Sequence, residues 1–600
     1  MFTHDRPHLD LNGTWRFCPD PMQRCRGQQW WRKPPIPNSV FPCWDPEGMW
    51  EIQVPGTWKT QFEKLEWFDG HAVYLKEFDA ELPADHEAFL VFDGVVYEAE
   101  VYLNGQLIGK HEWGYSPFRL RVTETLQAHN QLFVLVDNHL SPNRVPSIRF
   151  DWNNDGGIIN PVKLVFVPRT HIENFRTQTT LTGDEAVLEV TIQLASRDTR
   201  ACLPVTVRIP ELGLAHTVDV KVAAPTTVEF RVPRSEIELW CPENPRLYQT
   251  ELSTPLETVA DEIGYREIRR EGKRIMLNGK PIRLYGMCVH SDFPGTGRTA
   301  TPEGVAAMIA HAQELGMNFL RCAHYPYAEI FGRALDRAGI MWWEETPAYW
   351  TGNMAEPSQT AKGSGILSDA IQRDWNRASL IIWSVSNECC WRNPDDPEDN
   401  NYPYWFSIVP LVRQLDPSRL ISCAEAGNMI AVSPVWTPGQ ADEFDRRTDE
   451  AQQWRPGHTD ELYDLFDVLS ANLYVGPAEA PVAYARYVEM MSPYNKPMIL
   501  SEFGSMSLRE AEVADDVLGS EVRHAMVLRE AYDVFATLED LTGYCPWCLS
   551  DIRCPLHWRW YNSGKAVFRY GFVDETWTKK TTVYQALKNA IAGLRRHWGD

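Results

Sequence analysis

Acidic and polar side chains recur at the ends of apolar, strand-like runs in the second half of this chain. Glu388 closes the run LIIWSVSNE (380–388), and Glu502 lies near the end of PMILSEFG (497–504). The other polar residues placed in this way are His290, Arg321, His324, Glu345, Asn387, Glu425, Tyr474, Trp547 and Asp551. If the runs are neighbouring strands of a parallel barrel, their carboxyl ends meet at one mouth. The pattern therefore predicts a single pocket rich in carboxylates.

Three reactions suit such a pocket: metal-assisted hydrolysis, proton abstraction and glycoside hydrolysis. A metal site normally has His and carboxylates at ligand spacing, as in HExxH, and no such motif is present. We therefore expect no metal and no cofactor. Glycoside hydrolysis needs two carboxyl groups on opposite sides of an anomeric carbon, one protonated and one ionised. Glu388 and Glu502 are the candidates for this pair.

The placement of the two glutamates on the fourth and seventh runs lets them face each other across the mouth. A carboxyl separation of about 5 to 5.5 Å would give retention of the anomeric configuration. Two carboxyl groups at that distance do not both ionise easily, so one pKa rises and that group becomes the acid. The residue pattern does not say which of the two it is.

Eight apolar runs carry these side chains, and helical stretches such as TPEGVAAMIAHAQELG, EIFGRALDRAG and SEVRHAMVLREAYDVFATLE lie between them. The runs are IRLYGMC (282–288), FLRCAH (319–324), IMWWEET (340–346), LIIWSVSNE (380–388), LISCAE (420–425), VLSANLY (468–474), PMILSEFG (497–504) and YCPWCLSD (544–551). Alternation of strands with crossover helices is typical of a parallel sheet. Eight such units predict one (β/α)8 TIM barrel over residues 267–600.

The first 266 residues show a different pattern, in which short alternating stretches are broken by Gly, Asn and Pro. Examples are AFLVFDGVV (88–96), AEVYLNGQLIG (99–109) and QLFVLVD (131–137), followed later by AVLEVTIQLAS and TTVEFRVP. Short alternating strands with frequent turn residues indicate antiparallel β-sandwiches. We expect a jelly-roll-like, sugar-binding sandwich over residues 1–168 and an immunoglobulin-like sandwich over residues 169–266.

Composition limits the partners and the compartment. The formal charge is −23, from 58 basic and 81 acidic residues, which disfavours nucleic acid and leaves a neutral partner as the better expectation. No segment has the pattern of a signal peptide or of a membrane span. Thirteen cysteines, an odd number, fit a reducing compartment. We expect a cytoplasmic protein that acts on carbohydrate, with no nucleic acid or membrane partner, and we leave a homo-oligomer open.

Several motifs resemble glycoside hydrolase family 2, the β-galactosidase and β-glucuronidase family. WSVSNE (383–388) and ILSEFG (499–504) look like the family's acid/base and nucleophile signatures. The resemblance covers nearly the whole chain and includes LNGTW (11–15), VPGTW (54–58), VYLNGQLIG (101–109), DWNNDGGIINPV (151–162), LNGKPIRLYG (277–286), NFLRCAHYPY (318–327) and GIMWWEETP (339–347). Two sandwiches ahead of a barrel is also the family's layout. The resemblance implies an exo-acting, retaining β-glycosidase.

The resemblance also implies a role for each site residue. Glu388 would be the general acid/base and Glu502 the nucleophile, with Asn387 on the sugar 2-hydroxyl. Tyr474 would donate a hydrogen bond to the nucleophile. The residues implied in sugar binding are Arg321 and His324 on the pocket floor, Trp547 as the stacking ring, and Asp151 from the first sandwich. His290 is either a second sugar ligand or a satisfied core histidine.

The identity of the sugar stays open. Family β-glucuronidases recognise the sugar carboxylate with an Asn-x-Lys motif ahead of a segment that GFVDETWTKK (571–580) resembles, and this motif is absent in register. Arg569 or Lys565 could supply a cation instead, and Tyr570 stands where β-galactosidases place an Asn. A neutral β-galactoside-like substrate is the main prediction. The alternatives are a glucuronide or galacturonide, a galactofuranoside or arabinoside, and a carbohydrate-binding protein without activity.

Two short motifs suggest other chemistry. CPWC (545–548) has redox spacing but is predicted to lie on the eighth barrel strand rather than at a helix start, which argues against a redox role. NSGK (562–565) lacks the preceding Gly and the following Ser or Thr of a phosphate-binding loop. We expect neither motif to act.

Overall fold

The computed structural model describes residues 6–32, 49–148, 150–350, 354–389, 401–426, 460–474, 480–509, 514–515, 517, 519–555 and 567–600. Within these residues the chain forms two antiparallel β-sandwiches followed by a closed parallel barrel. The order of the units confirms the expected fold class. Among the described helices, none is long and apolar enough to cross a membrane.

Twelve short strands build the first sandwich within the described residues. They are β1 (His8–Asp10), β2 (Gly13–Asp20), β3 (Trp50–Val54), β4 (His71–Asp79), β5 (His86–Phe92), β6 (Val95–Val96), β7 (Glu98–Leu103), β8 (Gln106–His111), β9 (Phe118–Arg121), β10 (His129–Asp137), β11 (Gly157–Ile158) and β12 (Val162–Pro168). One sheet has the order β1-β12-β5-β9 and the other β3-β2-β4-β10-β7-β8, with β11 paired to β6. Their inner faces bury Trp15, Phe17, Tyr74 and Leu90.

The stretch AEVYLNGQLIG is a hairpin rather than one strand. Asn104 and Gly105 both have positive φ, 51° and 78°, between β7 and β8. A two-residue turn with positive φ at both positions matches the twist of antiparallel strands, and Asn-Gly is the preferred pair for it. The sequence therefore encodes this reversal locally.

The second sandwich follows directly. Its strands are β13 (Thr170–Thr182), β14 (Glu185–Ser196), β15 (Cys202–Ile209), β16 (Leu214–Lys221), β17 (Thr226–Pro233), β18 (Tyr248–Ser253) and β19 (Thr258–Ile263). They form sheets of order β13-β14-β17 and β16-β15-β18-β19. Strand β17 alternates exposed and buried residues along its length, which is the pattern of a strand with one face on a core. That core includes Ile192, Val207 and Phe230.

A small three-stranded sheet leads into the barrel. Its strands are β20 (Ile268–Glu271), β21 (Arg274–Leu277) and β22 (Lys280–Ile282). The barrel strands are β23 (Leu284–Val289), β24 (Phe319–Cys322), β25 (Met341–Glu345), β26 (Leu380–Asn387), β27 (Leu420–Ala426), β28 (Leu469–Asn472), β29 (Met498–Glu502) and β30 (Leu541–Tyr544). All neighbours are parallel, and β23 pairs with β30 through Leu284 and Gly543, which closes the barrel. A last hairpin pairs β31 (Ile552–Arg553) with β32 (Val567–Phe568).

Helices cover the outside of the barrel, as crossover connections require. The helices of the described chain are α1 (Arg24–Gln28), α2 (Trp58–Gln61), α3 (Pro302–Glu314), α4 (Glu329–Ala338), α5 (Pro357–Asp374), α6 (Tyr402–Leu415), α7 (Asp460–Leu465), α8 (Ala480–Met491), α9 (Glu521–Phe535) and α10 (Thr581–Trp598). Short 3-10 turns occur at Trp30–Arg32, Glu63–Leu65, Pro210–Leu212 and Ser492–Tyr494. The three helix candidates from the sequence correspond to α3, α4 and α9.

The eighth barrel strand lies earlier in the chain than the sequence suggested. Strand β30 ends at Tyr544, so CPWC follows the strand instead of lying on it, and that part of the prediction was wrong. Pro546 has no N–H for a strand ladder, which explains why the regular strand ends before it. The backbone still follows its neighbours, because the N–H groups of Cys545 and Trp547 donate to the carbonyls of Leu500 and Phe503. Trp547 is therefore held rigidly at the strand end.

A buried charge network joins the second sandwich to the barrel. The Arg377 guanidinium donates to Asp336 of α4 at 3.0 Å and contacts Asp261 of β19, and all three side chains are at most 3% exposed. Arg333 also donates to Asp261, at 2.6 Å. Removal of one partner from a buried ion pair leaves an uncompensated charge.

We expect Arg377→Ala to lower the free energy of unfolding by about 3 to 5 kcal/mol, because Asp336 would lose its buried cation. The matched control is Arg337→Ala, since Arg337 pairs with the neighbouring Glu262 but is 58% exposed. An exposed pair of this kind contributes at most about 1 kcal/mol. Urea unfolding of both variants measures the difference. Equal losses from the two substitutions would show that the buried network does not stabilise the junction.

Candidate active site

The carboxyl ends of three barrel strands, β26, β28 and β29, bring the central side chains together. Glu388 follows β26 directly, and Glu502 is the last residue of β29. Asn472 ends β28, which pairs with β29 and is separated from β26 by β27. The Glu388 N–H donates to the carbonyl of Ala424 at 2.7 Å, and Glu388 has a positive φ of 53°. A left-handed conformation is costly for a residue with a side chain, so its backbone is held by the surrounding structure.

Glu502 is buried and accepts two strong hydrogen bonds. Arg321 donates from Nη1 to Oε1 at 2.5 Å, and the Tyr474 hydroxyl donates to Oε2 at 2.7 Å. His324 lies farther off, with Nε2 3.9 Å from Oε1. Burial raises the pKa of Glu502 above its ordinary value, while Arg321 and Tyr474 oppose that rise. The carboxylate form is thus paired with a cation.

Arg321 is fully buried and connects several acceptors. Its Nη2 donates to both oxygens of Glu345 at 3.2 Å and to Oδ1 of Asn387 at 2.7 Å. The guanidinium also lies 5.2 Å from the ring centre of Trp343. Planar guanidinium groups suit such fixed, many-partner geometry. Arg321 therefore sets the positions of Glu502 and Asn387 together.

Glu388 has a different environment, because within the described residues no cation contacts its carboxyl group. Trp350 Nε1 donates to Oε2 at 2.7 Å, and Asn472 Nδ2 donates to Oε1 at 3.1 Å. Burial, followed by the nearby charge of Glu502, raises the pKa of Glu388 to about 8. The two glutamates are therefore electrostatically unequal: Glu502 is ion-paired and Glu388 holds a proton at neutral pH.

The amide of Asn387 is oriented by its neighbours. Its Oδ1 accepts from Arg321 and, at 3.1 Å, from Asn472 Nδ2. Asn472 is fixed in turn, because its Oδ1 accepts from the Ser501 hydroxyl at 2.8 Å. The Asn387 NH₂ group then has no hydrogen-bond partner among the described residues, although it is buried. A buried donor without a partner is costly unless a ligand supplies the acceptor.

Two more buried ring nitrogens, His290 Nε2 and Trp547 Nε1, lack a hydrogen-bond partner in the described structure. The Tyr325 hydroxyl accepts from the Ser291 N–H and lies 3.0 Å from His290 Nδ1, and in the tautomer in which Tyr325 donates to Nδ1 the N–H of the ring is at Nε2. Burial lowers the pKa of His290, which keeps the ring neutral. Three orphan donors indicate a ligand rich in acceptor oxygens.

Aromatic rings form the wall around these donors. Trp547 stacks on His324 with ring centres 5.2 Å apart and packs edge-on against His290 at 5.0 Å. Trp152, from the first sandwich, lies 5.6 Å from His324 and 5.0 Å from Tyr349. Such rings suit the apolar faces of a sugar.

The first sandwich contributes a carboxyl group to this region. Asp151 is buried and accepts from the Tyr349 hydroxyl at 2.6 Å. Burial, and then the charge of Glu502, raise the pKa of Asp151 to about 7. The sequence placed Asp151 at the mouth, and the structure brings it to the loop that follows β25.

Arg569 is already engaged by acidic side chains. It donates to Asp551 at 3.0 Å and contacts Glu575, while Lys580 donates to Asp551 at 2.7 Å. The ring of Tyr570 lies 5.9 Å from that of Tyr474, edge-on, which places it beside the Glu502 partner. Lys565 and Asn562 lie outside the described residues. Arg569 thus belongs to a neutralised cluster.

Sequence reasoning missed Asn472 and Trp350, which both contact Glu388. Asn472 is the last residue of β28, so the rule that strand ends face the mouth would have found it. Trp350 lies in a loop, five residues after β25, and no periodicity marks it. Glu425, a strand-end residue, contacts Tyr463 at 3.4 Å, and burial raises its pKa to about 8.

A separate group of possible metal ligands lies on the first sandwich. One atom each of His71, Asp137 and His139 fall within 4.8 Å of one another. Guanidinium groups already contact two of them, since Arg144 lies 3.0 Å from Asp137 and Arg26 lies 3.4 Å from His71. Cations at this distance oppose a metal ion, so the group is best explained as a hydrogen-bonded network.

Two sandwiches, a parallel barrel and two unequal glutamates among orphan donors define a β-glycosidase. Three family models match the chain: "Glycosyl hydrolase 2 galactose-binding domain-like" over residues 53–156, "Glycosyl hydrolases family 2" over 170–266, and "Glycosyl hydrolases family 2, TIM barrel domain" over 268–513. The chain belongs to glycosyl hydrolase family 2, which confirms the resemblance and the expectation of a glycosidase.

Individual relatives and structures agree with the family. A "Beta-glucuronidase" of Streptococcus agalactiae is 24% identical, with 93% of this chain and 92% of that protein covered. A "Beta-galactosidase" of Thermoanaerobacterium thermosulfurigenes is 27% identical over 56% of this chain and 48% of its own length. The structure of a family 2 beta-galacturonidase from Eisenbergiella tayi, bound to galacturonate, superposes with a TM-score of 0.81 at 22% identity, covering 99% and 98% of the chains.

Proposed function

We propose that this chain is an exo-acting, retaining β-glycosidase in which Glu388 is the general acid/base and Glu502 the nucleophile. The observation that carries the assignment is the contrast between their partners. Glu502 is bonded to Arg321 and Tyr474, whereas Glu388 has two neutral donors and a pKa raised to about 8. A nucleophile must be ionised and an acid must hold its proton at working pH.

The cycle follows from these states. Protonated Glu388 gives its proton to the leaving oxygen while a Glu502 oxygen attacks the anomeric carbon, forming a glycosyl-enzyme. Ionised Glu388 then takes a proton from water, which attacks the same carbon and releases Glu502. Asn387 donates from its unpartnered NH₂ group to the sugar 2-hydroxyl. His290 Nε2 and Trp547 Nε1 are proposed donors to other sugar oxygens, with Asp151 as an acceptor and Arg321 and His324 as the floor.

We propose a neutral, β-galactoside-like sugar as the preferred substrate. A uronide would bring a further carboxylate beside Glu502, Asp151 and Glu345, and desolvation of an unpaired carboxylate costs several kcal/mol. Arg569, which follows β32, is the cation among the described residues that the sequence offered for a sugar carboxylate, and Asp551 and Glu575 already neutralise it. Tyr570, beside Tyr474, adds no charge.

A glucuronide or galacturonide is the second candidate, and the comparisons favour it. Both the Streptococcus relative and the Eisenbergiella structure carry uronidase names. A galactofuranoside or arabinoside is kept as a further alternative. We also propose domain boundaries at residues 1–168, 169–266 and 267–600, a cytoplasmic location and, as an open point, a homo-oligomer; the three matched segments support the boundaries.

Substitution of each glutamate should separate their roles. Glu502→Gln should abolish turnover of every substrate, because both steps need the nucleophile. Glu388→Ala should still form the glycosyl-enzyme from a dinitrophenyl glycoside, since a good leaving group needs little acid, and azide should rescue it to give the β-glycosyl azide. Proton NMR identifies the anomer of the product. Azide rescue of Glu502→Ala that gives the β-glycosyl azide, or early α-anomer from the unaltered enzyme, would contradict the assignment.

The pH dependence should follow the raised pKa of Glu388. Glycosylation by a substrate with an unactivated leaving group needs Glu388 protonated, so kcat/KM for a phenyl glycoside should fall tenfold per pH unit once the pH rises above about 8. The control is Glu388→Gln with a dinitrophenyl glycoside, in which this alkaline limb should be missing. If kcat/KM of the unaltered enzyme already falls above about pH 5, near the ordinary pKa of a carboxyl group, the prediction is wrong.

Neutral β-glycosides should exceed the matching glucuronides in kcat/KM by at least roughly tenfold, or about 1.4 kcal/mol in transition-state binding. The measurement uses one aryl leaving group at one pH. Glu575→Gln is a second test, because it removes the charge of one of the two acidic partners of Arg569. The ratio of kcat/KM for the neutral glycoside to that for the glucuronide should be smaller in this variant. A preference for the glucuronide that is lost in Arg569→Ala would show that Arg569 recognises the sugar carboxylate despite its partners.

A further inference from the structure

The loop after β25 extends the barrel ladder up to the acid/base residue. The N–H of Asn387 donates to the carbonyl of Ala348 at 2.8 Å, and the N–H of Trp350 donates to the carbonyl of Asn387 at 3.1 Å. Tyr349 pairs with Asn387 as a parallel bridge. Trp350 has a positive φ of 45°, which is costly for a bulky residue. The backbone of Trp350 is therefore tied to the residue that precedes Glu388.

This backbone geometry places the indole on the carboxyl group. Trp350 Nε1 lies 2.7 Å from Glu388 Oε2, a short distance for an N–H donor. The other oxygen, Oε1, accepts from Asn472 at 3.1 Å. One rigid donor on each oxygen fixes the plane of the carboxyl group. Both donors also favour the ionised form, and both lower the pKa of Glu388 against the rise caused by burial.

We propose that Trp350 is a positioning residue for the general acid/base. Its indole N–H orients the Glu388 carboxyl group toward the leaving oxygen and keeps it acidic enough to give up its proton and to serve as a base afterwards. The inference rests on the proposed role of Glu388. Trp350 lies in a loop, and no motif or spacing in the sequence marks it as a residue of the active site.

The main test is Trp350→Phe, which removes the N–H donor and keeps an aromatic ring. Loss of a hydrogen bond to the ionised carboxylate should move the alkaline limb of kcat/KM upward by about one pH unit. The kcat for an unactivated phenyl or alkyl glycoside should fall by about tenfold, and glycosylation by a dinitrophenyl glycoside by less than about threefold. An unchanged limb in Trp350→Phe overturns the proposal.

Trp405→Phe is the matched control. Trp405 is buried, and its Nε1 donates at 2.9 Å to the hydroxyl of Ser386, two residues before Glu388, rather than to the Glu388 carboxyl group. In Trp405→Phe the alkaline limb of kcat/KM should have the same midpoint as in the unaltered enzyme. Trp350→Met removes the same N–H with an unbranched side chain and should reproduce the shift. The midpoint of the limb does not depend on how much enzyme is active, so partial unfolding of a variant leaves the measurement valid.

A double variant separates this inference from the function on which it rests. In the Glu388→Ala background, Trp350→Phe should not change the azide-rescued rate on a dinitrophenyl glycoside by more than about twofold, because the carboxyl group that it positions is gone. A further tenfold loss there would show a role apart from Glu388 and would overturn the proposal. Full activity of Glu388→Ala itself on unactivated glycosides would instead overturn the proposed function.

Discussion

The guanidinium of Arg321 is the interaction on which the mouth of the barrel depends. The described part of this region brings four carboxyl groups close together, of which Glu345, Glu502 and Asp151 are buried and Glu388 is partly buried. Charges in a low-dielectric space repel strongly, and each would be costly alone. Arg321 reaches Glu502 with one nitrogen and Glu345 with the other, and neither carboxylate could stay ionised as easily without it. Because it comes from β24, it also ties strands two, three and seven together.

The same arginine makes the surroundings of the two glutamates different. Arg321 bonds to Glu502 and holds Asn387, but its nitrogens do not reach Glu388 in the described structure. In the part of the chain that the structure describes no cation contacts Glu388, and burial together with the negative charge of Glu502 raises its pKa. Two chemically identical side chains thus acquire different electrostatic surroundings from one asymmetrically placed arginine. This is the general way in which enzymes obtain an acid and a base from a pair of carboxyl groups.

The sequence predicted the parts of this arrangement that follow a repeating rule. Strand ends in a parallel barrel share one mouth, so Glu388, Glu502 and Tyr474 could be placed together before any coordinates were known. The apolar run of the eighth strand continues beyond Tyr544 and predicts a strand further along the chain than the observed one. The observed strand ends at Tyr544 because Pro546 has no N–H for the ladder. Trp350 could not be found, since its position depends on a loop with a left-handed residue. The state of Arg569 depends on its contacts with Asp551 and Glu575, which only folding brings together.

The loop after β25 also explains why the barrel alone would make an incomplete site. Tyr349 donates to Asp151 of the first sandwich, and the next residue, Trp350, donates to Glu388. One short stretch of backbone, bonded to Asn387 on β26, thus fixes both a proposed sugar-binding carboxyl group and the acid/base. A shift of the first sandwich relative to the barrel would move Tyr349 and, through the backbone, the indole on Glu388. The packing of Trp152 against His324 and Tyr349 opposes such a shift. The first sandwich therefore contributes the Asp151 side chain to the site and also holds the loop that positions Glu388.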